Sequence, residues 1–298
     1  MVDKLDKLRE LLRSYGSCLV AYSGGVDSVF LAYVAREVLG DRCLSVIADT
    51  PSLPRRELKE ALEVAARFRI PVRVVRTQEF ENASYLANPE NRCYFCKHEL
   101  FTELDPLARL EGFAVIAYGE NASDTGDHRP GAQAASEFRV RAPLKEAGLT
   151  KEDIRACSRQ MGLPTADKPQ MACLSSRIPY GEGVTPEKLR MIEEAEYLVR
   201  DLGFHDVRVR HHELSGGAAP WTVATGQSGS VRHLARIEVG PGEMAKILAE
   251  GVGEKVAEGL RKLGYAHVTL DLQGYRRGSM NEATAFQPIR LVGAALKA

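Results

Sequence analysis

Residues 17–28 read SCLVAYSGGVDS, and this stretch decides the fold. Its first six residues are a short apolar run with the composition of a buried strand, and Ser23-Gly24-Gly25-Val26-Asp27-Ser28 leads directly into the apolar, helix-like segment 29–39. Two glycines where a strand turns into a helix let peptide N–H groups close on an anion at the positive helix end. Ser23 and Ser28 add hydroxyl donors, and Asp27 can hold a magnesium ion or cap the helix. The lysine of a GxxxxGK[ST] loop is missing, so this is not that loop, and for the Gly-Gly pair by itself a structural turn is the alternative.

Upstream, Leu5, Leu8, Leu12 and Tyr15 recur at helical spacing. Downstream, residues 43–49 (CLSVIAD), 71–77 (PVRVVRT) and 113–119 (FAVIAYG) read as further strands, and Leu58, Leu62, Ala65 and Phe68 mark a helix between the first two. Strands alternating with helices predict an α/β fold: a parallel-sheet domain covered on both faces, over residues 1–170. Residues 119–124 (GENASD) close the last of these strands, where ligands collect in doubly wound sheets. Asp124 is a metal-ligand candidate there, and the alternative is an Asx-type turn.

A helix over 151–161 and a linker at 164–169 (PTADKP) are expected next. Thr185-Pro186 is an N-cap and first-turn pair opening a helix to Leu202. Strands near 207–210, 235–239 and 267–272 and a helix over 244–263 make residues 171–298 a second, smaller α/β domain. The Gly-, Ser- and Thr-rich residues 214–230 between its first two strands read as an exposed, mobile insertion.

Forty basic residues balance forty acidic ones, so the formal net charge of the 298 residues is zero. That argues against attachment to nucleic acid or membrane by bulk charge, although a local basic pocket is compatible with it. No stretch approaches the ~20 apolar residues of a membrane helix, and residues 1–16 alternate charge with leucine and lack the apolar block of a secretory signal. The expected compartment is the cytoplasm, where thiols stay reduced.

The six cysteines are therefore core fillers, metal ligands or nucleophiles before they are disulfides. Cys18 and Cys43 fall inside predicted strands, and Cys157 shares an apolar helical face with Ile154 and Met161. Cys93 and Cys96 stand at C-x-x-C spacing in a polar segment beside Arg92 and Lys97, and Cys173 lies on a loop close in sequence to Arg177. Positive neighbours favour the thiolate needed for attack or ligation. A lone C-x-x-C reads as half a zinc site, a redox pair or chance; zinc wants a fourth ligand, and Cys157 is committed to a core face. Three available thiolates suit a four-iron cluster with one open iron, against unrelated thiols as the plain alternative.

The segment SGGVDS resembles the PP-loop of ATP pyrophosphatases, which cleave ATP between the α and β phosphates and adenylate a substrate. Together with ADTPSLPRREL, NRCYFCK, GENASDTGDHRPG, CLSSRIPYG, VRVRHH, LARIEV and LDLQGYRRGSMN, in order from Ser23 to Asn281, the chain resembles the LarE family of ATP-dependent sulfur transferases. CLSSRIPYG and GYRRGSMN make the resemblance specific.

The resemblance implies an adenine nucleotide α-hydrolase-like domain in which Ser23, Gly24, Gly25, Asp27 and Ser28 hold the pyrophosphate of ATP. Asp124 faces the ATP, with Asp27 and Asp124 as ligands of Mg2+. It implies as substrate an anionic pyridinium mononucleotide whose two carboxylates become thiocarboxylates for the nickel-pincer nucleotide cofactor. In one version of the family a cysteine at the position of Cys173 gives up its own sulfur. In the other, three cysteines hold a 4Fe-4S cluster whose extra sulfide, from a separate sulfide donor, is transferred; Cys93, Cys96 and Cys173 match that pattern. Ser176, Arg177, Arg208, Arg210 and Arg236 would hold the substrate phosphate, since guanidinium forks match its oxygens. Glu238 would hold a metal, help proton transfer or simply be solvated, and a homo-oligomer, a hexamer by resemblance, is expected. Residues 213–233 depart from the family pattern, which puts the transfer of Arg208 and Arg210 in doubt. Rival readings are a tRNA thiolase with a similar cluster, an amide-forming ligase of the same superfamily, and a non-enzymatic sulfide or metal carrier.

Overall fold

The computed structural model describes residues 2–124, 130–169, 172–214 and 231–276. The chain folds as two units: described residues up to 175 together with 180–190, and residues 176–179 together with those from 191 onward.

In the first unit, β1 (Cys18–Ala21), β2 (Cys43–Asp49), β3 (Val72–Arg76) and β4 (Val115–Tyr118) form a parallel sheet in the order β3-β2-β1-β4. Around it lie α1 (Val2–Tyr15), α2 (Val26–Leu39), α3 (Arg55–Arg67), α4 (Ala83–Leu86), α5 (Arg92–Glu111), α6 (Pro130–Glu137), α7 (Pro143–Glu146) and α8 (Lys151–Gln160). Successive strand side chains point to opposite faces. Cys18 and Val20 accordingly join one core with Leu8, Leu12, Phe30 and Ile154, while Leu19 joins a second core with Phe101 and Leu104 of α5. A sheet buried on both faces explains why its strands read as unbroken apolar runs. The chain steps outward from β1 through β2 to β3 and returns on the other side with β4, so the strand order reverses at the carboxyl ends of β1 and β4.

In the second unit, β5 (Val207–Leu214) pairs antiparallel with β6 (Arg232–Val239), which pairs parallel with β7 (Tyr265–Leu270). One sheet face carries Val207, Val209, Ala235 and Ile237 into a core with Ala195 and Val199. Those two come from α9 (Pro186–Asp201), and the same core receives Val256 and Leu260. The other face carries Arg208, Arg210, Arg236 and Glu238, with Arg208 opposite Glu238 and Arg210 opposite Arg236.

Three expectations change. Residues 164–167 form a 3-10 turn with Thr165 and Ala166 buried, rather than an open linker. The helix expected over 244–263 is broken into α10 (Met244–Ile247) and α11 (Val252–Lys262), with Gly251 at φ 75° between them. The C-x-x-C segment, taken as merely polar, is the first turn of the long helix α5, which runs on through Pro106. The bulk of the insertion expected at 214–230 lies outside the described residues, with Leu214 as the last residue of β5. No helix among the described residues is long and apolar enough to cross a membrane.

Candidate active site

The phosphate loop sits where β1 turns into α2. Gly24 has φ 74°, and a β-carbon there would lie 2.4 Å from the Ala61 Cβ, so only glycine fits on both counts. The two serines fasten the loop from inside. Ser28 Oγ accepts from Ser23 N at 3.1 Å, lies 3.0 Å from Ser23 Oγ and donates to Gly25 O at 3.1 Å. Gly25, the residue before the helix, supplies no side-chain cap, which leaves first-turn N–H groups directed at the loop. On the other side, a β-carbon on Gly119 would come within 3.0 Å of Ser28 N, so β4 also approaches the loop closely.

A cavity of about 220 Å³ opens here, lined by Ser23, Gly25, Asp27, Ser28, Lys97 and Tyr118 among others. Lys97 lies 4.7 Å above the Tyr118 ring. Tyr118 also donates to Glu120, whose other oxygen accepts from Lys145 Nζ at 2.8 Å. Burial works against the Glu120 carboxylate, but these two donors win and hold its pKa below the ordinary value.

Asp27 is the acidic residue of the loop. Its Oδ2 accepts from Lys151 Nζ at 2.6 Å, and its Oδ1 is buried without a hydrogen-bond partner among the described residues. Burial pushes its pKa up; Lys151 opposes the shift and the nearby charge of Asp124 adds to it. An orphaned carboxylate oxygen beside a second carboxylate is a donor set that a hard cation such as Mg2+ fits. The Asx-type turn at GENASD also forms: Asn121 Oδ1 accepts from Ser123 N at 2.9 Å, and Asp124 Oδ2 accepts from Asn121 N at 3.2 Å. The sequence places Lys97 beside the thiols and Lys151 at the start of a helix; the place of Lys97 on the cavity and of Lys151 on Asp27 follows only from the fold.

The three candidate thiols come together in the first unit. Cys93 and Cys96, three apart on the first turn of α5, share a helix face. The segment carrying Cys173 is fastened on two sides. Leu174 N donates to Ser52 O at 2.8 Å, and the Tyr85 hydroxyl bridges Ser52 Oγ at 3.0 Å and Ser175 Oγ at 2.8 Å. Buried Arg92 donates to Ser175 O at 2.9 Å and to Asn88 Oδ1. Cys173 is thereby placed close enough for its charge to disfavour ionisation of both Cys93 and Cys96.

The expectation that basic neighbours hold Cys93 and Cys96 as thiolates needs correction. Cys96 is half-buried, and burial pushes its thiol up, with Cys173 adding to the shift and Arg92 only partly offsetting it; the Cys93 thiol shifts the same way although that residue is exposed. No three His, Cys, Asp or Glu side chains among the described residues converge on a single metal ion. Cysteine thiols are the donors by which iron–sulfur clusters are held, so three of them in one place fit such a cluster in donor type. Cys18, Cys43 and Cys157 are buried core residues.

The arginines lie in the second unit. Arg177 donates twice to buried Glu196, at 2.8 and 3.1 Å, and Arg200 donates to the same carboxylate at 2.9 Å. Arg177 Nη1 also donates to Ser176 Oγ at 3.0 Å. Arg210 grips Glu238 at 3.0 and 2.7 Å and reaches Ser176 O at 3.1 Å. Arg236 shares Glu238 at 3.0 Å and donates to Asp271. Glu238 is thus fully buried between two guanidiniums rather than solvated. Arg208 differs: it donates to Val207 O at 2.7 Å, lies 4.8 Å over the Tyr275 ring and makes no ion pair among the described residues. Burial first, then the charge of Arg177, pulls its pKa down. An incoming anion relieves both effects.

No family model matches the chain. An uncharacterized protein of Synechocystis is 41% identical over 278 residues, covering 93% of this chain and 97% of that protein. The pyridinium-3,5-bisthiocarboxylic acid mononucleotide synthase of Lactiplantibacillus plantarum is 31% identical over 264 residues, 88% of each chain. A glutamine-hydrolyzing GMP synthase of Rippkaea orientalis is 27% identical over 233 residues, 66% of this chain but 41% of that protein. Similarity over nearly the whole length to the mononucleotide synthase, with a parallel sheet and phosphate loop at its switch point, places the chain: it belongs to the LarE family within the PP-loop ATP pyrophosphatase superfamily.

Proposed function

We propose that this protein is an ATP-dependent sulfur transferase acting on a pyridinium-3,5-biscarboxylic acid mononucleotide, converting its carboxylates to thiocarboxylates for a nickel-pincer nucleotide cofactor. The observation that carries the reading is the course of α5. Its first turn presents Cys93 and Cys96 beside Cys173, and the next residue, Lys97, lines the phosphate-loop cavity. One rigid element joins a thiol site to a nucleotide site.

Each part has a task in this reading. A carboxylate is a poor electrophile, so its oxygen attacks the α-phosphorus of ATP and pyrophosphate leaves. The loop N–H groups with Ser23, Gly24, Gly25 and Ser28 hold the pyrophosphate. Asp27 and Asp124 hold Mg2+, and Lys97 and Lys151 add positive charge where charge develops on the phosphates. A sulfur nucleophile then attacks the acyl carbon and AMP leaves.

Cys93, Cys96 and Cys173 hold a 4Fe-4S cluster, which when bound supplies an open iron for a transferable sulfide. Arg92, buried under the thiols, balances the negative charge. Residues 171–298 supply substrate binding and oligomer contacts, residues 1–170 the nucleotide chemistry. Arg208 receives the substrate phosphate, while Arg177, Arg210 and Arg236 with Ser176 fix its surroundings. The setting is cytoplasmic and the assembly a homo-oligomer.

Anaerobic purification, Mössbauer spectroscopy and intact mass before and after turnover with ATP, sulfide and the dicarboxylate test the reading. A cluster that survives turnover, with AMP and thiocarboxylate formed, supports it. An enzyme mass reduced by the elements of hydrogen sulfide at Cys173 points to sacrificial donation instead. Cleavage of ATP with neither change counts against sulfur transfer altogether.

A further inference from the structure

Beyond the end of β3 the chain turns through Glu79–Glu81, a 3-10 turn packed against α4 and α5. Glu79 is only 1% exposed, and neither of its carboxyl oxygens has a hydrogen-bond partner among the described residues. Thr77, two residues earlier, also has a buried and unpartnered hydroxyl there. Buried carboxyl oxygens are normally matched by donors, because leaving them unmatched forfeits hydration without return. Arg92, the buried cation nearby in the chain, is committed to Asn88, Ser175 and the thiols. Phe80 next to it serves packing, edge-on to Tyr85 with ring centroids 5.2 Å apart. Among the described residues nothing therefore uses the carboxyl of Glu79.

The turn that carries Glu79 packs against α5, whose first turn bears Cys96, and the Glu79 charge acts on that thiol together with those of Cys173 and Cys93. The three thiols supply three ligands, and a four-iron cluster offers four irons. Carboxylate oxygen is a competent ligand for iron, and a buried one is shielded from competing water.

We propose that Glu79 is the oxygen ligand of the metal site formed by Cys93, Cys96 and Cys173, occupying the iron that three thiolates leave open until a sulfur donor takes its place. The inference rests on the cluster reading above. When hydrosulfide enters, one iron–oxygen bond breaks and one iron–sulfur bond forms. The carboxylate leaves with its electron pair and charge, the proton stays on sulfur, and no electron changes hands.

The test compares anaerobically reconstituted wild type, Glu79→Ala and Glu79→Gln after removal of free sulfide. In the wild type one iron of the cluster gives a distinct Mössbauer doublet of an oxygen-ligated site, and carbon-13-labelled glutamate gives a hyperfine coupling in the reduced cluster. Both variants lose that doublet and shed the fourth iron several-fold faster in air, leaving a three-iron signal. Identical spectra in all three proteins, with no carbon-13 coupling in the wild type, overturn the assignment of Glu79. A wild type that takes up no iron–sulfur chromophore overturns the cluster reading itself, and this inference with it. If a variant does not fold, the labelled wild type decides.

Discussion

Lys151, at the start of α8, donates its Nζ proton to Asp27 Oδ2 in the phosphate loop at 2.6 Å, across 124 residues of sequence. The side chains are 26% and 21% exposed, so this pair is shielded but not sealed. Lys151→Met leaves Asp27 without its cation and is expected to cost about 1–3 kcal/mol, below the figure for a fully buried pair. The sign of its pH dependence follows from Asp27, whose folded pKa is raised by burial. A raised carboxyl destabilises the fold when ionised, so stability is regained as pH falls through the folded pKa. Thermal melts of wild type and variant should therefore differ most at neutral pH and converge in acid. Asp27→Asn should instead lower pyrophosphate release by about 100-fold and blunt its Mg2+ dependence.

Gly24→Ala combines a left-handed backbone with a clash 2.4 Å from Ala61. The expected cost is about 2 kcal/mol or more, seen as a melting temperature lower by about 4–8 °C, with loss of ATP-dependent pyrophosphate release. Gly25→Ala is the control for folding, since φ there is −81° and the nearest contact is Ser23 Oγ at 3.4 Å. It should melt within about 1 kcal/mol of wild type.

Glu196→Gln tests the buried pair with Arg177, whose side chains are 1% and 3% exposed. Breaking it strands a buried guanidinium and is expected to cost about 3–5 kcal/mol. Burial disfavours the Glu196 carboxylate, but Arg177 and then Arg200 outweigh burial and hold its pKa below 4.5. Its contribution is present above the unfolded pKa and is lost as pH falls through the lower folded value. Denaturation of the wild type followed below pH ~4.5 should show this loss, and Glu196→Gln should lack it.

Arg208→Ala separates binding from folding. Because Arg208 makes no ion pair among the described residues, its loss should leave the melting temperature nearly unchanged. Removing a charged hydrogen bond to the substrate phosphate should raise KM for the mononucleotide about 10- to 100-fold with little change in kcat. Arg177→Ala should behave in the opposite way, losing stability first.

The parallel strands were legible because a sheet buried on both faces leaves apolar runs such as CLVA and CLSVIAD, and the glycine turn of SGGVDS marks where it binds anions. The helix α5 was not, since its first turn is polar and Pro106 interrupts its pattern. Pairings that depend on strand register or chain return escaped as well. Glu238 between Arg210 and Arg236 follows from the β5–β6 register, and Lys151 on Asp27 from the return of α8. Charge near the thiols was visible in Arg92 and Lys97, but the burial of Arg92 and the approach of Cys173 to Cys93 and Cys96 were not, since both follow only from the fold.

In the proposed function Cys93, Cys96 and Cys173 act as one cluster-holding site serving the ATP cavity. Its most direct measurement is the Mössbauer spectrum of iron-57-reconstituted protein, taken for the wild type and for each single Cys→Ala variant, alongside thiocarboxylate formed per enzyme with added sulfide. The expected result is a four-iron cluster and many turnovers in the wild type, with both lost in every one of the three variants. A wild type limited to one sulfur per Cys173, or full turnover in Cys93→Ala and Cys96→Ala, would contradict it.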